Sequence, residues 1–324
     1  MGSGKIIITG GAGYIGKITS QVLHQQGWSP VILDDYSTST PWERCPFPLH
    51  QVSLLDEDGI KDIFASEGPI TGIVHFAAKA LVPESCAHPN SYFRNNVVGA
   101  LNLIEAAHEA GVHQLIHSST CAVYGVPQTL PITEQSPIAP ISPYGESKRM
   151  VEEMLRQFHE HWGFSVLNLR YFNPAGALPP FGEAHNPETH LIPSILRAAK
   201  EGGSISVFGD DYQTSDGTCE RDYIHVVDLA EAHGKALDFL QKQPSPLFDC
   251  INLGAGAPHS VLEVIKITEQ ITGKPITPTI KPRRAGDPPR LFADISKAKQ
   301  VLGWQPSRSL EQAISSHWKW MTGK

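Results

Sequence analysis

The sequence is poor in cysteine and contains no closely spaced cysteine pair. A zinc knuckle or a redox motif needs two cysteines a few residues apart, so both are excluded and we expect no metal site. The thiols are Cys45, Cys86, Cys121, Cys219 and Cys250. An odd number of scattered thiols is typical of a protein from a reducing compartment.

Long hydrophobic runs are also missing. No stretch approaches the ~18–20 apolar residues that a helix needs to cross a bilayer. The first five residues lead directly into a strand-like segment, without the apolar stretch and small-residue cleavage site of a secretory signal. We therefore expect a soluble, cytoplasmic protein that does not bind membranes.

Positive charge is not in excess either. The net charge is −7 and the sequence pI is about 6.1. A broad basic surface for nucleic-acid phosphates is therefore excluded, although a local basic site for a small anion is not. The chain also lacks internal repeats and low-complexity tracts, and its 324 residues suggest about two domains.

What is present is an alternation of apolar runs and amphipathic segments in the first half of the chain. Buried strands are predicted at residues 5–9, 30–33, 72–76, 114–118 and 166–169, and helices at 14–26, 92–110 and 143–162. Such an alternation predicts an α/β fold of the Rossmann type, with a doubly wound parallel sheet. We assign residues 1–172 to this cofactor-binding domain and residues 173–324 mainly to a smaller C-terminal α/β substrate-binding domain, with later excursions that return to the first.

A glycine loop follows the first predicted strand and opens the first predicted helix. Gly10, Gly13 and Gly16 are three residues apart, which suits a tight turn, a close approach to a pyrophosphate and close packing of helix on strand. Asp34, at the end of the second strand, can accept both ribose hydroxyls of NAD and would repel the 2′-phosphate of NADP. The alternative for Asp34 alone is a helix cap. We predict NAD as the cofactor.

A tyrosine and a lysine lie one helical turn apart in the helix predicted at 143–162. Tyr144 and Lys148 share a helix face, where an ammonium ion and the positive nicotinamide ring can lower the pKa of the phenol. Ser118, Ser119 and Thr120 lie at the end of the strand predicted at 114–118. A hydroxyl there could contact the reacting oxygen, but for Ser118 and Ser119 we favour a strand-end turn.

These residues resemble the extended short-chain dehydrogenase/reductase family over essentially the whole chain. Within it they are similar to the NAD-dependent epimerases of nucleotide sugars. The matching segments, in the family's order, are TGGAGYIG at 9–16, HFAA at 75–78, NNV at 95–97, VYG at 123–125, the segment 144–148, RYFNPAG at 170–176, RDYIHV at 221–226, NLGAG at 252–256 and RAGD at 284–287.

The resemblance implies a role for each matching residue. Tyr144 would be the base, Lys148 its partner and a ribose ligand, and Thr120 a hydroxyl bonded to the sugar oxygen. Tyr144 and Lys148 would also contact NAD, together with Gly10, Gly13, Tyr14, Ile15, Gly16, Asp34, Asp35, Ser37, Ser53, Leu54, Phe76, Ala77, Ala78, Asn96 and Phe172. The UDP-sugar would contact Thr120, Asn173, His190, Arg221, Arg284, Asp287 and Leu291. Surface salt bridges are the alternative for the two arginines.

Several positions depart from the family pattern. Ser53 stands where an aspartate usually contacts adenine, and Ala80 where a lysine is common, with Lys79 beside it. His190 replaces an amide residue. Leu291 occupies the position whose bulk limits the sugar pocket; it is shorter than the tyrosine of hexose-restricted epimerases and larger than the cysteine or serine of those that accept N-acetylhexosamines.

The activity that the resemblance implies is interconversion of UDP-glucose and UDP-galactose by transient oxidation at C4. Dehydratases and decarboxylases of the family need a carboxylate directly after the threonine, where this chain has Cys121. The open alternatives are a 4-epimerase of UDP-N-acetylhexosamines or UDP-pentoses, and a non-catalytic NAD-binding regulator. The resemblance also implies a homodimer formed by the helices at 92–110 and 143–162.

Overall fold

The computed structural model describes residues 4–185, 188–284 and 287–323. The strands in chain order are β1 Gly4–Thr9, β2 Trp28–Asp34, β3 Leu49–Gln51, β4 Ile70–His75, β5 Gln114–Thr120, β6 Ser165–Tyr171, β7 Asn173–Ala175, β8 Ser204–Phe208, β9 Glu220–His225, β10 Phe248–Leu253, β11 Pro258–Ser260, β12 Thr277–Lys281 and β13 Arg290–Leu291. Seven of them form a central, all-parallel sheet in the order β10-β6-β5-β4-β1-β2-β3.

Helices cover both faces of this sheet, which is why its central strand has no polar side. Ile6 and Ile8 contribute to one hydrophobic core and Ile7 to the other, and all three are fully buried. The helices are α1 Tyr14–Gln25, α2 Glu57–Glu67, α3 Val82–Ala87, α4 Pro89–Tyr92, α5 Gly99–Glu109, α6 Pro143–Trp162, α7 Leu191–Glu201, α8 Val226–Gln241, α9 Val261–Thr272, α10 Ser296–Leu302 and α11 Leu310–Thr322. A π-helical segment, Phe93–Val98, joins α4 to α5, and a 3₁₀ helix spans Cys121–Tyr124.

The strand order reverses direction between β1 and β4, so a crevice opens at the carboxyl ends of these strands. The predicted Rossmann-type class is therefore confirmed. Two later elements return to the large sheet: β10 pairs in parallel with β6, and α8 packs on α1. The assignment of the two halves of the chain to cofactor and substrate stays a prediction.

Smaller sheets stand beside the crevice. In one of them β9 pairs with β7, β11 and β13, and in the other β8 pairs with β12. A separate hydrophobic core, which includes Ile195, Val264 and Ile314, holds α7, α9 and α11 together. Within the described ranges, no helix combines the length and hydrophobicity that a membrane span requires.

Helix α6, which carries the tyrosine and lysine, has the predicted bounds. The Ser142 hydroxyl accepts a hydrogen bond from the Gly145 amide at 3.1 Å, Pro143 occupies the first turn, and Gly163 ends the helix in the left-handed conformation. The helix predicted at 92–110 is instead assembled from α4, the π-helical segment and α5, because the backbone widens over Phe93–Val98.

Candidate active site

One cavity of about 1250 Å³ runs along the carboxyl ends of the large sheet and continues between the two parts of the molecule. Its wall contains the glycine loop at one end, Tyr144 and Lys148 in the middle, and Arg221 and Arg284 at the other end. Pockets for a single small ligand usually measure about 300–1000 Å³. This cavity therefore has room for a dinucleotide and a second ligand.

The glycine loop forms the floor of the first end. Gly10 has a φ of +67°, and a Cβ there would lie 2.6 Å from the Ala77 nitrogen. A Cβ on Gly16 would lie 2.3 Å from the Gly10 carbonyl oxygen. Larger residues are thus excluded by the turn and by the close approach of α1. The N-terminus of α1 begins at Gly13 without a side-chain cap, so its first amides face the cavity as donors for an anion.

Asp34 closes the second strand beside this loop. One of its carboxylate oxygens accepts from the Ala12 amide at 2.9 Å, and the other accepts from the Tyr36 amide at 2.9 Å and the Ser39 hydroxyl at 2.8 Å. The carboxylate thereby ties the glycine loop to the turn after β2. It also lies on the cavity wall, and with three of its roughly four acceptor positions used it can accept one further hydrogen bond.

Most of the residues predicted to contact NAD lie on this wall. Asn96 does not: its amide group donates to the Ser147 hydroxyl at 2.9 Å and to the Lys79 carbonyl at 3.0 Å, so it holds the 79–80 loop against α6. Among the described residues Ser53 does not line the cavity either, and its hydroxyl accepts a hydrogen bond from the Leu55 amide. The residues on the wall are Gly10, Gly13, Tyr14, Ile15, Gly16, Asp34, Asp35, Ser37, Leu54, Phe76, Ala77, Ala78 and Phe172. Lys79 and Ala80, in the loop that differs from the family pattern, also lie there.

The catalytic candidates meet at the middle of the cavity. Tyr144 lies in the first turn of α6, and its hydroxyl interacts with that of Thr120 at the end of β5. Burial raises the pKa of Tyr144 to about 12, and the hydrogen bond with Thr120 opposes that shift. Thr120 also caps the 3₁₀ helix by accepting from the Ala122 amide at 3.1 Å. The predicted trio is therefore brought together.

Lys148 lies one turn further along α6 and is only 3% exposed. Its ammonium group donates to the Ser118 carbonyl at 2.6 Å. Burial lowers the pKa of Lys148 to about 7, while the nearby Glu152 carboxylate acts in the opposite direction. The strand-end turn favoured for Ser118 and Ser119 was wrong, because β5 continues through both residues to Thr120.

A buried ionic network, which sequence reasoning did not identify, supports this trio. Arg170 donates to both oxygens of Glu152, at 3.0 and 2.6 Å, and also donates to the Tyr124 hydroxyl at 2.9 Å. The Ser119 hydroxyl donates to the same carboxylate. The network fixes α6 to β5 and β6 directly behind Tyr144 and Thr120. The only sequence signal was the position of Glu152, one turn after Lys148.

The far end of the cavity contains the predicted substrate residues. Arg221 forms an ion pair with Asp287 and donates to the Glu220 carbonyl at 2.8 Å. The guanidinium of Arg284 lies over the Phe208 ring at 4.0 Å. Asn173, His190 and Leu291 complete this part of the wall, and Asn173 donates to the Asp222 carbonyl at 2.8 Å.

Three residues of this end were missed from the sequence. Phe208 ends β8 on the cavity wall, and Cys121 follows Thr120 and packs, like Leu291, against an apolar cluster that includes Phe172. Buried Asp222 accepts from the amides of the 252–256 segment and of Ala293, which shapes the wall from behind. Cys121 could have been found by its adjacency to Thr120, whereas Asp222 acts only through contacts distant in sequence.

Comparison with known proteins defines the class to which this fold and site belong. Residues 6–254 match the NAD dependent epimerase/dehydratase family. The chain belongs to that family.

Individual relatives extend the similarity to the whole chain. UDP-glucose 4-epimerase of Halalkalibacterium halodurans is 42% identical over 97% of this chain and 95% of its own length. The crystal structure of UDP-glucose 4-epimerase from Bifidobacterium longum, in complex with NAD⁺ and UDP, superposes with a TM-score of 0.93 at 38% identity and 98% coverage of both chains. The UDP-Glc/GlcNAc 4-epimerase of Campylobacter jejuni superposes with a TM-score of 0.85 at 38% identity, over 99% of this chain and 100% of that one.

Proposed function

We propose that this protein interconverts UDP-glucose and UDP-galactose by epimerisation at C4, with tightly bound NAD. The observation that carries the proposal is one continuous cavity whose wall includes the glycine loop, the Tyr144–Lys148 pair and two arginines. A dinucleotide at one end and a nucleoside diphosphate sugar at the other would present the sugar to Tyr144. The full-length similarity to proteins of this activity supports the same assignment.

The residues at the first end fit NAD. Gly13 lies on the cavity wall, and a Cβ there would meet only the Gly10 carbonyl oxygen, at 3.3 Å, so the backbone is open to a pyrophosphate at this point. The first amides of α1 are donors for it. Asp34 and Lys148 would hold the two riboses, with Phe76 and Phe172 along the rings. Bound NAD would supply reversible hydride exchange with C4 of the sugar.

Tyr144 is the proton acceptor and donor in this proposal. Its phenol oxygen takes the proton of the 4-hydroxyl and later returns it, while the Thr120 hydroxyl orients the sugar oxygen. The buried phenol, with its pKa raised to about 12, is protonated at neutral pH in the protein alone and so cannot accept a proton. The Lys148 ammonium and the positive charge of the oxidised cofactor are the groups that would stabilise the phenolate.

The arginines anchor the UDP moiety at the other end. Arg221 and Arg284 can each bind a phosphate oxygen pair, and Asp287 keeps Arg221 in place. His190 and Asn173 supply further polar contacts, and Phe208 offers an aromatic face to the uracil ring. With the nucleotide held firmly, the less polar wall around Leu291 and Cys121 lets the sugar turn about its diphosphate linkage and present either face.

The proposal is tested by incubating the purified protein with UDP-galactose or UDP-glucose, without added NAD, and following both sugars by proton NMR. We expect the same equilibrium mixture from either side and release of NAD on denaturation. Bound NAD without any turnover would favour the regulator. Faster turnover of N-acetylhexosamine or pentose substrates would favour the other epimerases.

We further propose a cytoplasmic homodimer. The five thiols are all free, which fits a reducing compartment. Helix α6 carries an apolar stripe at four-residue spacing, formed by Met150, Met154, Phe158 and Trp162, and its two end members are exposed. A second copy of the chain could cover this stripe.

A further inference from the structure

A cluster of two carboxylates and two imidazoles lies on the rim of the cavity, in the connection between β7 and α7. Its members are Glu183, His185, Glu188 and His190. Both carboxylates are buried, with side-chain exposures of 8% and 1%, whereas the imidazoles are 32% and 47% exposed. The proposed reaction gives no role to Glu183, His185 or Glu188. The cluster therefore calls for a separate explanation.

The four side chains are arranged as two imidazole–carboxylate pairs. Nδ1 of His185 contacts Glu183, and Nδ1 of His190 lies 2.8 Å from Glu188. The contact with Glu188 leaves Nε2 of His190 for a ligand, whereas Nδ1 of His185 faces a carboxylate that can bind the same ion. The two rings are 5.5 Å apart between centroids. One donor atom from each of Glu183, His185 and His190 lies within 4.8 Å of the others.

We propose that Glu183, His185 and His190 bind one divalent transition-metal ion such as Zn²⁺. Two imidazoles and one carboxylate form a known ligand set for this ion, with a fourth position open to solvent or to a ligand of the cavity. Glu188 orients His190 from behind, as carboxylates commonly do for metal-bound imidazoles. Zinc ligands at about 2.0–2.2 Å lie roughly 3.3–3.6 Å from one another. Glu183 and His185, which are in direct contact, therefore need to separate to admit the ion, and His190 needs to approach them by up to about 1 Å.

The sequence predicted no metal site because that search considered cysteines. The donors here are instead one glutamate and two histidines within residues 183–190. Leu178 and Phe181 bond to each other in both directions before these residues, and the Ser194 amide donates to the His190 carbonyl at their end. An ion held between these two anchors would fix the rim of the cavity without taking part in the transfer of hydrogen at C4.

The experiment is a titration of the full-length, NAD-containing protein with Co²⁺ after treatment with a chelator. We expect one Co²⁺ per chain, with the visible absorption of tetrahedral cobalt, and its displacement by Zn²⁺. His185→Ala should abolish this absorption. Glu188→Gln should weaken the affinity about 10–100-fold, because it removes the group that orients His190.

His259→Ala is the matched control, because His259 forms an imidazole–carboxylate pair with Glu263 and belongs to no cluster of three possible metal ligands among the described residues. It should bind Co²⁺ as the unaltered protein does. Circular dichroism of each variant checks that it folds. Octahedral or non-stoichiometric binding, or equal affinity of His185→Ala and the unaltered protein, would overturn the proposal. Epimerase activity of the chelator-treated protein is measured separately, so a failed Co²⁺ titration would not count against the proposed function.

Discussion

At the scale of single residues, the middle of the cavity contains two side chains whose pKa values are shifted in opposite directions by burial. Burial raises the pKa of Tyr144 to about 12 and lowers that of Lys148 to about 7, because the charged form of each is poorly solvated. Both shifts favour neutral side chains in the protein alone. A positively charged ligand next to the phenol would favour the phenolate form of Tyr144. Tyr144 would therefore act as a base only when that ligand is bound.

Replacement of Tyr144 by phenylalanine removes only the hydroxyl. We expect kcat for UDP-galactose to fall by about 10²–10⁴-fold, the usual contribution of a general base. The melting temperature should change little, since the buried ring remains and the change removes only the interaction of one hydroxyl with Thr120. Tyr212→Phe is the control, because its buried hydroxyl has no partner among the described residues. Near-normal turnover of Tyr144→Phe at neutral pH would contradict the proposed mechanism.

Replacement of Lys148 by methionine removes the charge but keeps an apolar chain. Because the ammonium favours the phenolate, its loss raises the pKa of Tyr144 above the value in the intact site. The acid limb of the profile of kcat against pH should therefore move to higher pH, and kcat at pH 7 should fall. Measurement of both profiles between pH 6 and about pH 10 checks the direction. If kcat fell at every pH without a shift of the acid limb, Lys148 would only position the cofactor.

Leu291 is the residue to test for substrate range. It lies beside Cys121 in an apolar cluster and pairs with Arg221 through the backbone of β13. Forcing an N-acetyl group against packed side chains costs ~1–3 kcal/mol, or roughly 5–150-fold in specificity. We expect the hexoses to be preferred, and Leu291→Ser to raise kcat/KM for UDP-N-acetylglucosamine relative to UDP-glucose. Equal kcat/KM values of the unaltered protein for both sugars would show that Leu291 does not limit the pocket.

At the scale of secondary-structure elements, the site depends on how α6 is attached to β5 and β6. Arg170 projects from β6 and Glu152 from α6, and their bidentate ion pair is 5–6% exposed. Ser119 connects the pair to β5. The relative position of Tyr144 and Thr120, which lie on different elements, is therefore set by charged groups that do not touch the sugar.

Glu152→Gln tests this attachment. An uncompensated buried guanidinium typically costs about 3–5 kcal/mol, so we expect a clear loss in the free energy of unfolding. The carboxylate also raises the pKa of Lys148, so its removal should lower that pKa further and alter the dependence of kcat on pH. Both changes together indicate a positioning role.

The control for Glu152→Gln lies one residue further along the same helix. Glu153 pairs with Arg156 on the exposed side of α6. Exposed ion pairs contribute about 0–1 kcal/mol, so Glu153→Gln should leave both the stability and the pH profile almost unchanged. If Glu152→Gln behaved in the same way, the buried pair would have no part in holding the site.

Local sequence signals were sufficient for the elements that carry the chemistry. A serine cap, an early proline and a terminal glycine bounded α6, and three isoleucines without a polar side indicated a central strand. The same signals could not give contacts between distant segments. Arg221 and Asp287 are 66 residues apart in sequence, and Asn96 faces Ser147 rather than the cavity, because both arrangements are produced by the tertiary fold.

At the scale of the whole molecule, the helices beside the cavity have an outer face that one chain leaves partly uncovered. Ala100, Leu103, Val151 and Leu155 lie on the two helices predicted to form a dimer interface, but they are buried in the chain's own core. The outer face is formed instead by the stripe from Met150 to Trp162. Trp162 stacks on His108 of α5 at 4.2 Å between ring centroids, which joins the two helices into one surface.

The last prediction concerns this surface. We expect light scattering after gel filtration to give a mass of twice the 35.4 kDa of one chain at micromolar concentration. Met150→Glu should shift the protein toward the monomer, because a buried charge without a partner opposes association. Ile280→Glu alters an equally exposed apolar residue on β12, away from the helices, and should stay dimeric. A monomeric mass for the unaltered protein, or equal masses for the two variants, would contradict dimerisation through α5 and α6.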